Sequence, residues 1–353
     1  MAVQRTRSMV RTGRYPAASV QGVAQFPHRK AGHCGSGAFR DLLEFHGLSW
    51  DAEPLSEAMV FGLSGGLGCF YYELPDMDPP LYLVGRTGGL ERSVCRHLGI
   101  DLDLRRTDNG GEAWRWLRDE LDAGHPTMVN ADIHELDYLR VKLSNTMHDI
   151  VVTGYDQDEG VALIADNDRE EIQRCSLESL ARARASNGFP GPSRHATWVM
   201  RFPDRLPDPR IAVAGALRRA VANMREDGEA LAGIGPGTGL DHVDLFARSY
   251  ARWPELFGDR TPGALRGLWV FIVKAGTGGA MFRSLQAGFL REASELLGDA
   301  RVARAAGVYE ELAGEWVALA DALRSEHHAA GLPHVQAIAR IEREGVAAMA
   351  ECA

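Results

Sequence analysis

Two short runs of β-branched and apolar residues, 151–155 and 161–165, flank the polar pentapeptide Asp156-Gln157-Asp158-Glu159-Gly160, a pattern that commits the middle of the chain to a β-hairpin. Folding it about Gln157 and Asp158 sets His148 beside the Asp166/Asn167 pair at the open end, because residues equidistant from a turn face each other across the ladder. Local structure alone therefore brings together an imidazole and a group able to orient it. The spacing leaves open whether Asp166 or Asn167 turns toward the ring.

Far upstream, His33-Cys34-Gly35-Ser36-Gly37-Ala38-Phe39-Arg40 leads into Asp41-Leu42-Leu43-Glu44-Phe45-His46-Gly47. Ala38, Leu42 and Phe45 share one helical face and Gly47 is placed as a stop, which predicts a helix over 34–45 with the cysteine at its start. A thiol there feels the positive end of the helix dipole, which favours the thiolate, and free N–H groups of the first turn can hold an oxyanion. Cys34, His148 and Asp166 thus have the types and order of a nucleophile, its base and an orienter. A buried structural cysteine beside an unrelated histidine satisfies the same spacing, since free cysteine is among the most buried residue types.

With 353 residues, 45% hydrophobic and 25% charged, the chain has the make-up of a soluble globular protein of two domains. No stretch approaches the roughly 20 apolar residues of a membrane helix, so no membrane partner is expected. A net charge of -9 argues against nucleic-acid binding through a broad basic surface. Cys34, Cys69, Cys95, Cys175 and Cys352 are scattered without a CxxC pair, which points away from a disulfide framework or zinc knuckle and toward a cytoplasmic location. Residues 1–27 carry Arg5, Arg7, Arg11 and Arg14, no acidic residue and no apolar signal core, and are expected to form a flexible Arg-rich arm.

Helical patterns at 34–45, 55–61, 90–98, 112–121 and 177–185 mix with strand patterns at 70–74, 81–84, 127–131, 197–202 and the hairpin. The helices cluster early and adjacent strands late, so residues 28–205 read as an α+β domain with an antiparallel sheet. Three prolines within 202–209 make a stiff linker. Beyond it, residues 206–353 read as an all-α domain, with helices at 211–224, 241–253, 263–274, 281–297, 301–325 and 335–349 and glycine-rich loops at 233–239 and 276–279. Neither glycine cluster continues into Gly-Lys-Ser/Thr, which argues against a phosphate loop.

Three motifs now stand in order: His33-Cys34-Gly35-Ser36, then Leu55-Ser56-Glu57-Ala58-Met59-Val60-Phe61-Gly62-Leu63-Ser64-Gly65-Gly66-Leu67-Gly68, then His148-Asp149-Ile150-Val151-Val152-Thr153-Gly154-Tyr155-Asp156 with residues 161–166. On these the chain resembles the family of butirosin biosynthesis protein H from residue 28 onward, in both its cysteine domain and its helical extension. The resemblance implies a papain-like N-terminal domain, similar to the peptidases that process bacteriocin leaders. It also implies an acyltransferase of antibiotic or other secondary metabolism. Such an enzyme takes an acyl or aminoacyl group from the phosphopantetheine thioester of an acyl carrier protein and passes it to an amine of a natural product such as an aminoglycoside. Cys34 would attack the thioester, His148 would take and return the proton, and Asp166 would hold the imidazole tautomer.

Those peptidases carry a glutamine about six residues before the cysteine as an oxyanion donor; the equivalent position here is His28, with Gln25 further out, and His33 is a second candidate. Glu57 is placed to meet a cationic acceptor, with Gly65 and Gly66 letting backbone approach the substrate, although a solvated helix glutamate and a tight turn fit the same residues. Asp132 and His134 follow the 127–131 strand and are candidates to line the cleft. A metal set of Asp132, His134 and His148 has no spacing support, so neither a metal nor a bound cofactor is expected. A cysteine hydrolase or peptidase and a carrier-bound cyclase use the same three residues, and a catalytically inactive binding protein keeps the same fold. Whether the protein forms a homo-oligomer is left open by the sequence.

Overall fold

The computed structural model describes residues 21–23, 25–226, 239–275 and 277–353; the stretch from Arg5 to Arg14 and the glycines at 233–238 lie outside the described residues. In chain order the first half runs β1 (Gln21–Gly22), α1 (Cys34–Phe45), α2 (Glu57–Leu63), β2 (Leu67–Glu73), β3 (Leu81–Arg86), α3 (Leu90–Leu98), β4 (Asp101–Arg105), α4 (Gly110–Asp122), β5 (Thr127–Ala131), β6 (His148–Asp156), β7 (Val161–Ala165), β8 (Gln173–Ser176), α5 (Leu177–Ala185) and β9 (Thr197–Arg201). Helices follow: α6 (Pro209–Arg225), α7 (Gly239–Tyr250), α8 (Trp253–Phe257), α9 (Thr261–Val273), α10 (Arg283–Leu297), α11 (Ala300–Leu323) and α12 (His328–Ala350). The strands form a seven-stranded sheet in the order β4-β9-β5-β6-β7-β8, with β1 on β6 beyond the end of β5, and every pairing is antiparallel. This is the α+β architecture expected from the sequence, an antiparallel sheet followed by an all-helical region.

Alternation along the central strand explains how the layers stack. Ile150, Val152 and Ile164 point to one face and pack with Leu117 of α4 and Leu180 of α5. Val151 and Ala165 point to the other and join Phe39, Leu42 and Leu43 of α1. Each of those three α1 side chains is essentially buried, and burial of such a side chain is worth roughly 1.5–3 kcal/mol. The helix that begins with Cys34 is therefore anchored by its middle, which leaves its first turn at the sheet's edge. Strands β4 and β8 were not apparent in the sequence. Both are edge strands with one neighbour, so each needs only half an apolar pattern: Asp101–Arg105 alternates charge with leucine, and Gln173–Ser176 buries only Cys175 fully.

The proline-rich segment marks a change of secondary structure, not a break in the core. One apolar cluster continues from α1 through α2, β2, β3 and α3 into the C-terminal helices. A Cβ on Gly62 of α2 would lie 1.8 Å from Phe289 Cγ of α10, so only glycine allows these two helices to close. The separate β2–β3 hairpin is likewise held by the helical region. Arg283, at the start of α10 and fully buried, donates to the carbonyls of Gly85 (2.9 Å), Met281 (2.8 Å) and Gly68 (3.0 Å), and pairs with Glu342 of α12 at 2.7 Å, also fully buried. Among the described residues no helix is long and apolar enough to cross a membrane.

Removing one partner of a buried ion pair strands the other charge, which costs about 3–5 kcal/mol. Arg283→Met should therefore lower the stability measured by urea unfolding by about that amount, whereas Arg291→Met, which loses only the exposed pair with Glu310, should stay within about 1 kcal/mol of the parent.

Candidate active site

Cys34 is the first residue of α1 and is half-buried. The loop before it is fixed from three sides. Glu57 of α2 accepts the N–H of Gly32 at 2.9 Å, the N–H of His33 at 2.8 Å and the Ser36 hydroxyl at 3.2 Å. Asn167, just past β7, donates its side-chain amide to Ala31 O at 3.1 Å, and its own carbonyl accepts the Ala31 N–H at 3.0 Å. His28 reaches Asp41 through Nδ1 at 2.7 Å and donates from Nε2 to Arg169 O at 3.1 Å. These bonds stitch the nucleophile loop to the open end of the β6–β7 hairpin, and so fix the separation between Cys34 and His148.

His148, the first residue of β6, places Nε2 at 3.1 Å and 3.0 Å from the two oxygens of Asp166, which leaves Nδ1 for the thiol. Asp166 is fully buried and held by the Tyr138 hydroxyl at 2.7 Å and the Asp168 N–H at 3.2 Å. Burial works to raise its carboxyl, but the His148 charge and these donors outweigh that and take it down to about 2. Burial likewise works against a charged His148, yet Asp166 and then Cys34 hold its pKa well above the ordinary imidazole value. Burial alone would raise the Cys34 thiol; the imidazoles of His33 and His148 beside it bring it well below the usual range. The outcome is a thiolate–imidazolium pair with a permanent carboxylate behind it.

Which of Asp166 and Asn167 faces His148 is decided by one irregularity. Near the turn β6 and β7 pair Asp156 with Val161, Tyr155 with Ala162 and Gly154 with Leu163, but beyond a bulge at Thr153 they pair Val152 with Ile164 and Val151 with Ala165. The shifted register sets Asp166 opposite Ile150, on the same face as His148. Continued without the bulge, the ladder would set Asn167 there and turn Asp166 away.

Several residues singled out from the sequence do other work, and their assignments are corrected accordingly. His28 spends both ring nitrogens on structure and has none to offer an oxyanion. Glu57 is the clamp of the nucleophile loop, not a site for a cationic acceptor. Gly65, with φ +59, backs onto α6, where a Cβ would lie 2.7 Å from Arg219 Cβ, and Gly66 lies against Ser64 Oγ, so both serve packing and not substrate approach. Asp132 accepts the hydroxyls of Ser144 (2.7 Å) and Ser186 (2.6 Å) and the N–H groups of His134 (3.1 Å) and Asn145 (3.0 Å), which makes it a loop organiser. His134 contacts Val141 O on the exposed side.

His33 is the remaining oxyanion candidate. It caps α1 by accepting the Ser36 N–H on Nδ1 at 3.2 Å, so its ring proton sits on Nε2, which is buried and has no partner of hydrogen-bond geometry. Phe282, from the turn before α10, packs edge-on against this ring at 5.2 Å and stacks on Phe61 at 5.3 Å. Met281 and Phe282 both adopt positive φ, +50° and +66°, a conformation bulky residues take only where surroundings enforce it. The helical region therefore supplies part of the wall of the site. Tyr138, which holds Asp166, and Phe282, which packs on His33, carried no sequence signal for the site.

Residues 33–167 match the family described as butirosin biosynthesis protein H, N-terminal, so this part of the chain is butirosin biosynthesis protein H-like. Residues 178–348 match a domain of unknown function (DUF4872), which covers α5, β9 and nearly all of the helical region. No curated protein matches the chain.

The ionisation of the site is open to direct measurement. A lowered thiol pKa beside a raised imidazole pKa makes the reactive pair present above the first and below the second. Alkylation of Cys34 by iodoacetamide should thus stay fast well below pH ~8.5, the midpoint of a free cysteine. At pH 6.5, Cys69, Cys95 and Cys175, pushed up by burial to about 12, should remain unlabelled. His148→Ala should move the Cys34 profile up toward that of an ordinary thiol, and an unchanged profile would show that the histidine does not govern it.

Proposed function

We propose that the protein is a biosynthetic acyltransferase that works through a Cys34 acyl-enzyme, taking its acyl group from the phosphopantetheine thioester of an acyl carrier protein and delivering it to an amine of a small natural product. The observation that carries this reading is the Cys34–His148–Asp166 arrangement at the start of α1 within a butirosin biosynthesis protein H-like domain. A protease would have to break an unactivated amide; a thioester donor is exchanged between two thiols of similar leaving ability, so the acyl-enzyme stays energised for an amine.

In this reading the Cys34 thiolate attacks the donor carbonyl, the C–S bond to pantetheine breaks, and His148 protonates the departing thiolate from Nδ1. Charge developing on the carbonyl oxygen meets the Cys34 and Gly35 N–H groups at the start of α1 and the Nε2–H of His33. Asp166 fixes the tautomer and stabilises the imidazolium throughout. Glu57 and Asn167 act at one remove, by holding the loop that aims Cys34.

Intact-protein mass spectrometry after incubation with acyl-pantetheine thioesters tests this. The expected result is an adduct on the parent that is absent from Cys34→Ala, forms about 10²–10⁴-fold more slowly in His148→Ala, and is discharged by amines faster than by water. Release into water at the same rate would replace transfer by hydrolysis, and failure of every thioester to mark Cys34 would end the assignment.

A further inference from the structure

On the face of the sheet opposite α1, a pocket of about 160 Å³ lies between α4 and α5. Leu177, Leu180, Ala181 and Arg184 line it from α5, at the i, i+3, i+4 and i+7 spacing of a single helical face. Gly110 and Trp114 line it from α4, and His195, two residues before β9, completes the lining. Ala181 and Gly110 are exposed, so the pocket opens to solvent beside them. The reaction above uses none of these residues.

The charge inside it is unmatched. Arg184 is 2% exposed and, unlike the equally deep Arg283 with its Glu342, pairs with no carboxylate among the described residues. Its Nη2 donates to His195 O at 3.2 Å and to Thr197 Oγ1 at 2.7 Å, both neutral, and its Nε is fully enclosed without an acceptor. Burial pulls the guanidinium down to about 10 and no opposite charge holds it up, yet it remains cationic at neutral pH. Burial and then Arg184 also hold the His195 imidazole below its ordinary pKa; Asp108 acts on it in the opposite sense but is paired with Arg194 at 3.0 Å. The start of α4 adds to the positive potential. Asn109 caps only the Glu112 N–H, at 3.1 Å, which leaves the Gly110 and Gly111 N–H groups as donors.

We infer that this pocket is a binding site for a small organic carboxylate, separate from the Cys34 centre. The carboxylate meets the Arg184 guanidinium and the start of α4, and the apolar body lies against Trp114, Leu177 and Leu180. Such a ligand supplies both the missing charge and the missing acceptor. Inorganic phosphate supplies them too, but most of its oxygens would face apolar side chains that have no donor to give. The inference stands apart from acyl transfer, because no residue of the nucleophile loop lines the pocket.

Calorimetric titration of the full chain with benzoate, hexanoate, benzamide and inorganic phosphate, in a buffer free of organic anions, tests this. At least one of the two carboxylates should bind, with the neutral benzamide and phosphate about tenfold weaker or silent. Arg184→Met should weaken the carboxylate about tenfold or more. Ala181→Phe should do the same by filling the mouth from an exposed helix position, with the guanidinium left in place, so the test survives if Arg184→Met fails to fold. Equal binding of benzoate and benzamide would make the pocket merely apolar, and phosphate as tight as the carboxylates would make it a site for inorganic anions. Carboxylate binding that Ala181→Phe leaves unaltered would lie elsewhere on the protein. Each of these results overturns the inference, as does the failure of both carboxylates to bind.

Discussion

The fully buried guanidinium of Arg283 is the contact on which the rest of the structure converges. Three carbonyls and one carboxylate surround it, from β2, β3, the turn before α10, and α12. A charge so deep is tolerable only when every side of it is matched, so these four elements cannot separate without exposing an unpaired ion to an apolar interior. One of the three carbonyls belongs to Met281, and the next residue is Phe282. The same cluster that joins hairpin to helices therefore imposes the left-handed turn that sets Phe282 against His33.

It follows that the two family matches divide the chain where the physics does not. The boundary between them falls near α5, while the apolar core continues across it and Gly278 of the helical region comes within 3.4 Å of the Gly32 carbonyl in the nucleophile loop. The helical region shapes the loop that carries Cys34 through Gly278 and Phe282.

Much of this was legible in the sequence because it rests on short-range pattern. The hairpin, the helix starting at Cys34 and the order of the helical region follow from apolar period and turn residues, and all appear in the structure. What could not be read depends on long-range contacts. Edge strands β4 and β8 need a neighbour to be recognised as strands. His28 and His33 are alike as residue types, and only the positions of Asp41 and the Arg169 carbonyl show that one is spent while the other keeps a nitrogen free. Glu57 looked like a ligand for cations because an acid near glycines does; the N–H groups it serves lie more than twenty residues upstream.

The irregularity at Thr153 has a further meaning. Asp166 and Asn167 stand next to each other, and the sheet presents one or the other to His148 according to whether the number of residues between them and the imidazole is even or odd along the paired strands. The identity of the group behind the histidine is thus held as a count and not as a residue type. A ladder that kept Thr153 but lost the bulge would exchange a carboxylate for an amide while leaving Cys34, His148 and Asp166 all in the sequence, and an alignment that scored only residue types would see nothing lost.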